Sequence, residues 1–103
     1  MSQNVYRKVV SEGLQTLYQS DADFALSIRM LPAIVYVPED EVIDTFETLA
    51  QNMPDDAEQV VDYFESNYIG RPRRNGRRPP RFPITMWNMN SRVNYPYPPK
   101  KNM

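Results

Sequence analysis

Hydrophobic positions recur every three or four residues over the first two-thirds of the chain, the spacing of one helical face. From Asn4 to Tyr18 they fall at Val5, Tyr6, Val9, Val10, Leu14, Leu17 and Tyr18. This predicts one amphipathic helix ending near Gln19, weakened by Gly13. Ser20 or Asp21 then offers an N-cap for a second helix, with Asp21 and Asp23 at the positive end of its dipole. Its apolar positions are Phe24, Leu26, Ile28, Met30 and Leu31, and Pro32 disfavours helix at Leu31. The β-branched run Ala33 to Val37 lacks an evident partner strand, so a kinked helix end followed by an extended connector is predicted.

The third helix starts at Pro38, with Glu39, Asp40 and Glu41 in its first turn. Val42, Ile43, Phe46, Leu49, Ala50 and Met53 mark its apolar face. Pro54 opens a fourth, with Ala57, Val60, Val61, Phe64 and Tyr68 on one side. The short turn at Asn52-Met53-Pro54 makes the two a helical hairpin. Such short helices draw their stability from packing against one another. The expected fold is all-α: about four short helices, including this hairpin, followed by an extended Arg/Pro-rich C-terminal arm.

Charge divides the chain at the same place as periodicity does. All 13 acidic residues lie between Glu12 and Glu65. Residues 1–68 hold only Arg7, Lys8 and Arg29 as bases, a net of 3 − 13 = −10. Residues 69–103 hold nine bases and no acid, and seven of the ten prolines lie there, from Pro72 to Pro99. Regular helix is therefore excluded from most of this part. Three regions follow: a helical body over 1–69, a basic loop or arm over 70–83, and an anchor with a proline-rich, disordered tail over 84–103. Asymmetry of this kind points to a basic tail that meets a polyanion or folds back on the acidic body.

Six arginines fall within fifteen positions: Arg71, Arg73, Arg74, Arg77, Arg78 and Arg81. A guanidinium is a planar five-donor fork that matches a phosphate. One reading is a nucleic-acid-binding arm, which could also serve as a nuclear import signal. The other is a solvated linker paired with the acidic helices. A polyproline ligand for SH3-like domains, through Pro79-Pro80 or Pro96 to Pro99, is a third. Phe82 and Trp87 follow the arm and read as a structural anchor onto the helical hairpin, or as a base-stacking platform.

Several chemistries are excluded. The chain has no cysteine and no histidine, which removes thiolate zinc sites, cysteine nucleophiles and Ser-His-Asp triads. Glu39 to Glu41, or Asp55, Asp56 and Glu58, are adjacent on helices and splay by about 100° per residue, so they do not converge on a metal. No cofactor, small-molecule substrate or catalytic residue is expected. Without a secretory start or a membrane-length apolar run, an intracellular chain with no membrane partner is expected.

The blocks Asp62-Tyr63-Phe64-Glu65, Tyr68-Ile69-Gly70-Arg71, Arg77-Arg78-Pro79-Pro80-Arg81-Phe82-Pro83-Ile84 and Met86-Trp87-Asn88 resemble a segment of Mutator-like element (MULE) transposases and their FLYWCH-finger relatives. Upstream, Arg29-Met30-Leu31-Pro32-Ala33 and Tyr36-Val37-Pro38 are similar to the helical stretch that precedes it there. The resemblance covers roughly residues 13–93. It implies a nuclear, DNA-contacting origin. The family's catalytic core strands and first aspartates have no counterpart here, nor do the finger's cysteine and histidine ligands. After Arg92-Val93 the family pattern gives way to a proline-rich tail. What the resemblance implies is thus a non-catalytic, transposase-derived fragment keeping weak nucleic-acid contact through its six arginines. The alternative is a helical interaction module that binds a protein partner or self-associates through its apolar face, with no nucleic-acid role.

Overall fold

The computed structural model describes residues 1–90, and the expected tail beyond Asn90 lies outside the described residues. The described chain is mostly helical. The ordered elements are α1 (Ser2–Ser11), α2 (Gln15–Ser20), α3 (Ala22–Met30), α4 (Val42–Gln51), α5 (Glu58–Phe64), a two-stranded hairpin β1 (Pro72–Arg73) and β2 (Gly76–Arg77), and α6 (Ile84–Trp87). Short 3-10 turns at Pro32–Tyr36, Glu39–Glu41 and Asp55–Ala57 precede or join the helices, and a π-turn at Glu65–Ile69 ends α5.

The single helix expected over 4–18 is two. Gly13 adopts φ +75°. Its N–H donates to the Val10 carbonyl, and the Leu14 N–H reaches back to Val9, both at 3.0 Å. This is the Schellman closure, which needs a left-handed residue just past the helix end. A glycine read only as a weak helical position is therefore the stop of α1. Asp21 settles the choice of cap for α3: its Oδ1 accepts from the Asp23 and Phe24 amides at 3.0 and 3.1 Å.

The apolar faces are narrower than periodicity suggests. Val5 and Val9 of α1 are fully inside, while Tyr6 and Val10 are partly exposed. On α3, Phe24, Ala25 and Ile28 are buried and Leu26 and Met30 face outward. The fourth apolar set is buried throughout, from Ala57 to Tyr68. α1 lies against α5 and α2 against α3. Phe46 of α4 stacks on Phe64 of α5 with centroids 6.1 Å apart, and Phe64 meets Tyr68 at 5.0 Å. These rings form the centre of the core.

The connector over 33–37 is not extended. Pro32 sets the helical φ for a 3-10 turn that buries Ile34. Its carbonyls are met from the far end of the chain. The Met89 amide donates to Val35 O at 2.7 Å, Asn88 Nδ2 to Val37 O at 2.7 Å, and Asn90 Nδ2 to Tyr36 O at 3.0 Å. The missing partner of this run is thus Asn88-Met89-Asn90, a polar tripeptide rather than a strand. Pro38 and Pro54 each stand just before a 3-10 turn, and the α-helices begin later, at Val42 and Glu58. Among the described residues no helix is long and apolar enough to cross a membrane.

Candidate nucleic-acid interface

The π-turn sets up the basic region. The Gly70 amide donates to the Glu65 carbonyl five residues back, at 2.6 Å. This wide turn buries both Tyr68 and Ile69 while holding Glu65 at the surface edge. Gly70 then turns the chain with φ +98° and ψ +128°, a region open in practice only to glycine. The chain returns directly over it: a Cβ at Gly70 would overlap the Arg78 carbonyl oxygen. The Arg78 amide donates to Arg71 O at 2.9 Å.

The expected extended arm over 70–83 is instead partly this hairpin. Pro72 pairs with Arg77 and Arg73 with Gly76, leaving Arg74-Asn75 as a two-residue turn. So short a ladder is not stable alone. Arg77 fastens it to the helical body. Its Nη1 donates to Glu65 Oε2 and to the Gly70 carbonyl, both at 2.7 Å, and its Nη2 donates to Glu47 Oε2 at 2.8 Å. Burial disfavours the Arg77 charge, yet the hydrogen bonds and charges of Glu65 and Glu47 outweigh it and raise the pKa. Arg71 adds weaker contacts to Asp62 and Glu65 at 3.3 Å.

The six predicted arginines therefore divide. Arg71 and Arg77 are engaged with the acidic helices. Arg73, Arg74, Arg78 and Arg81 are exposed and make no ion pair among the described residues. Arg81 lies over the Phe82 ring at 5.4 Å. Phe82 stacks on Tyr68 at 5.4 Å, and Trp87 meets Tyr68 edge-on at 6.3 Å while its Nε1 donates to the Phe82 carbonyl. Both aromatic side chains are thus turned onto Tyr68. Asn88 is buried, with its amide nitrogen bonded to Val37 O and its Oδ1 accepting from the Asn90 amide.

Pairing of the arm with the acidic helices was one of the sequence readings, but Glu47 and Glu65 as the particular partners, and Gly70 as the crossing point, were not singled out. The signal for Gly70 was its place between a buried helix end and a basic run. The pairing of Arg77 with Glu47, thirty residues away, has no local signal. Among the described residues no three acidic side chains are arranged to hold a metal ion.

No family model, no curated protein and no solved structure matches the chain.

Proposed function

We propose that the chain is a non-catalytic nucleic-acid-contacting module, similar to a segment of MULE-type transposases, whose hairpin presents arginines to phosphates. The observation that carries this reading is the division of the arginines. Two guanidiniums hold the hairpin on the acidic body, and four on the same hairpin and its exit lack an anionic partner among the described residues. An arm that served only to neutralise the helices would pair most of its charges. Phe82 and Trp87 pack on Tyr68, so they do not offer themselves to bases. Contact through phosphate alone is independent of base sequence.

The resembling blocks have physical roles here. Tyr68 and Ile69 fill the core, Gly70 permits the crossing, and Phe82, Trp87 and Asn88 close the end of the body. The test is anisotropy of a labelled 20-base-pair duplex titrated with protein at two salt concentrations. Four phosphate contacts give a log–log salt slope of about −3 to −4. Replacing Arg73, Arg74, Arg78 and Arg81 by Gln is expected to abolish most of the binding. No salt-sensitive binding by folded protein refutes the proposal.

A second reading, a protein-interaction module, draws on an open apolar groove of about 780 Å³ between α1, α3 and the Pro32–Tyr36 turn. Tyr6 and Tyr36 line it and are partly exposed. Concentration-dependent sedimentation, with no affinity for duplex, would favour it.

A further inference from the structure

A second basic surface lies far from the hairpin in sequence, on α1, which packs against α5. Asn4, Arg7, Lys8 and Ser11 follow one another at intervals of three, one and three residues, so they share a face of α1. With Tyr63 of α5 they line an open cleft of about 250 Å³ that contains no carboxylate. Lys8 Nζ sits 5.8 Å from the Tyr63 ring centre.

Tyr63 also feels the hairpin's exit. Its hydroxyl pKa is raised, first by burial and then by Tyr68, while the positive charges of Arg81 and Lys8 pull the other way. Lys8 is in contact with the Tyr63 ring, and Arg81 reaches it through the packing of its neighbours. Arg81 lies over Phe82, Phe82 stacks on Tyr68, and the Tyr68 hydroxyl accepts from Asn4 Nδ2 at 3.2 Å. Three successive contacts thus bring the end of the basic segment to α1. Two of the three bases among residues 1–68 stand at this junction, in the otherwise acidic part of the chain.

We propose that the cleft of Asn4, Arg7, Lys8 and Ser11 against Tyr63 binds a further phosphate of the same nucleic acid that the hairpin arginines contact. This rests on the nucleic-acid reading above. Arg7 makes no ion pair among the described residues, and Lys8 is paired with Glu12 at 2.9 Å, both side chains being partly exposed. An i,i+4 pair on a helix surface contributes only weakly, so a phosphate competes with Glu12 for Lys8. The interface becomes a strip running from the hairpin turn over Arg81 and Tyr63 to α1.

The experiment uses the full chain and the labelled 20-base-pair duplex. Arg7→Gln/Lys8→Gln is expected to weaken binding about tenfold and to reduce the magnitude of the salt slope by about 1. Glu12→Gln, which frees Lys8, is expected to tighten binding a few-fold, a gain that loss of helix stability would not produce. Ser11→Asp, which places a carboxylate on the exposed rim, is expected to weaken it. Unchanged affinity and slope in Arg7→Gln/Lys8→Gln, with binding lost in the hairpin variant, overturns the cleft and leaves the hairpin reading intact. Absence of duplex binding by the wild-type chain overturns both.

Discussion

Replacing Arg77 by Gln separates a structural arginine from a ligand-binding one. The substitution removes the guanidinium that bridges Glu65, Glu47 and the Gly70 carbonyl. The Glu47 side chain is 49% exposed, so that contact is screened and contributes little. Glu65 is different: its side chain is 14% exposed and that of Arg77 15%. Losing Arg77 leaves Glu65 with only the longer contact from Arg71, at 3.3 Å. A charge-assisted bond between largely desolvated groups is worth about 1.5–3 kcal/mol, and an abandoned charge adds its own penalty. The expected loss is about 2–3 kcal/mol. For a domain of this size that lowers Tm by roughly 10–20 °C. Urea unfolding followed by far-UV circular dichroism and by the fluorescence of Trp87, the one tryptophan, measures it. Arg77→Gln/Glu65→Gln is expected to recover part of the loss, since the abandoned charge is gone too. Arg74→Gln, at the hairpin turn, is expected to stay within about 0.5 kcal/mol of wild type. A stability loss under about 0.5 kcal/mol for Arg77→Gln, or strict additivity with Glu65→Gln, refutes the clamp.

Gly70→Ala is expected to cost about 3 kcal/mol or more, because the backbone conformation is closed to other residues and the new methyl meets the Arg78 carbonyl. Gly13→Ala, also at positive φ but with open space around it, is expected to cost about 1–2 kcal/mol; denaturant melts of the two variants check the ranking. Asp21→Ala removes the side-chain cap of α3 and is expected to cost about 1 kcal/mol, with Asn largely restoring it. Asn88→Ala leaves the Val37 carbonyl without its side-chain donor and is expected to cost about 1–3 kcal/mol, read by the same melts.

The helical class was legible because burial against neighbours imposes a local period, and the run from Ala57 to Tyr68 shows it in full. Helix ends were less so. Gly13 reads equally as a tolerated weak position or a stop, and only its two closing hydrogen bonds decide between them. The region 33–37 was misread because strand-forming residues were judged by propensity, whereas Pro32 and distant amides from Asn88 to Asn90 select a tight turn. The composition of the arm left all six arginines alike between phosphate and the acidic helices. Tertiary contacts with Glu47 and Glu65 assign Arg77 to the fold, and no spacing rule carries that pairing. Nothing local in the sequence sets Lys8 over Tyr63, because that approach comes from the packing of α1 on α5.

The most direct test of the central claim is the salt dependence of duplex affinity for four proteins: wild type, Arg77→Gln, Arg74→Gln and the Arg73/Arg74/Arg78/Arg81→Gln variant. The division of the arginines predicts a steep slope for wild type that falls by about 1 for Arg74→Gln, changes little for folded Arg77→Gln, and collapses in the quadruple variant. Equal effects of Arg77→Gln and Arg74→Gln, or a folded wild-type chain that ignores the duplex at low salt, would contradict it.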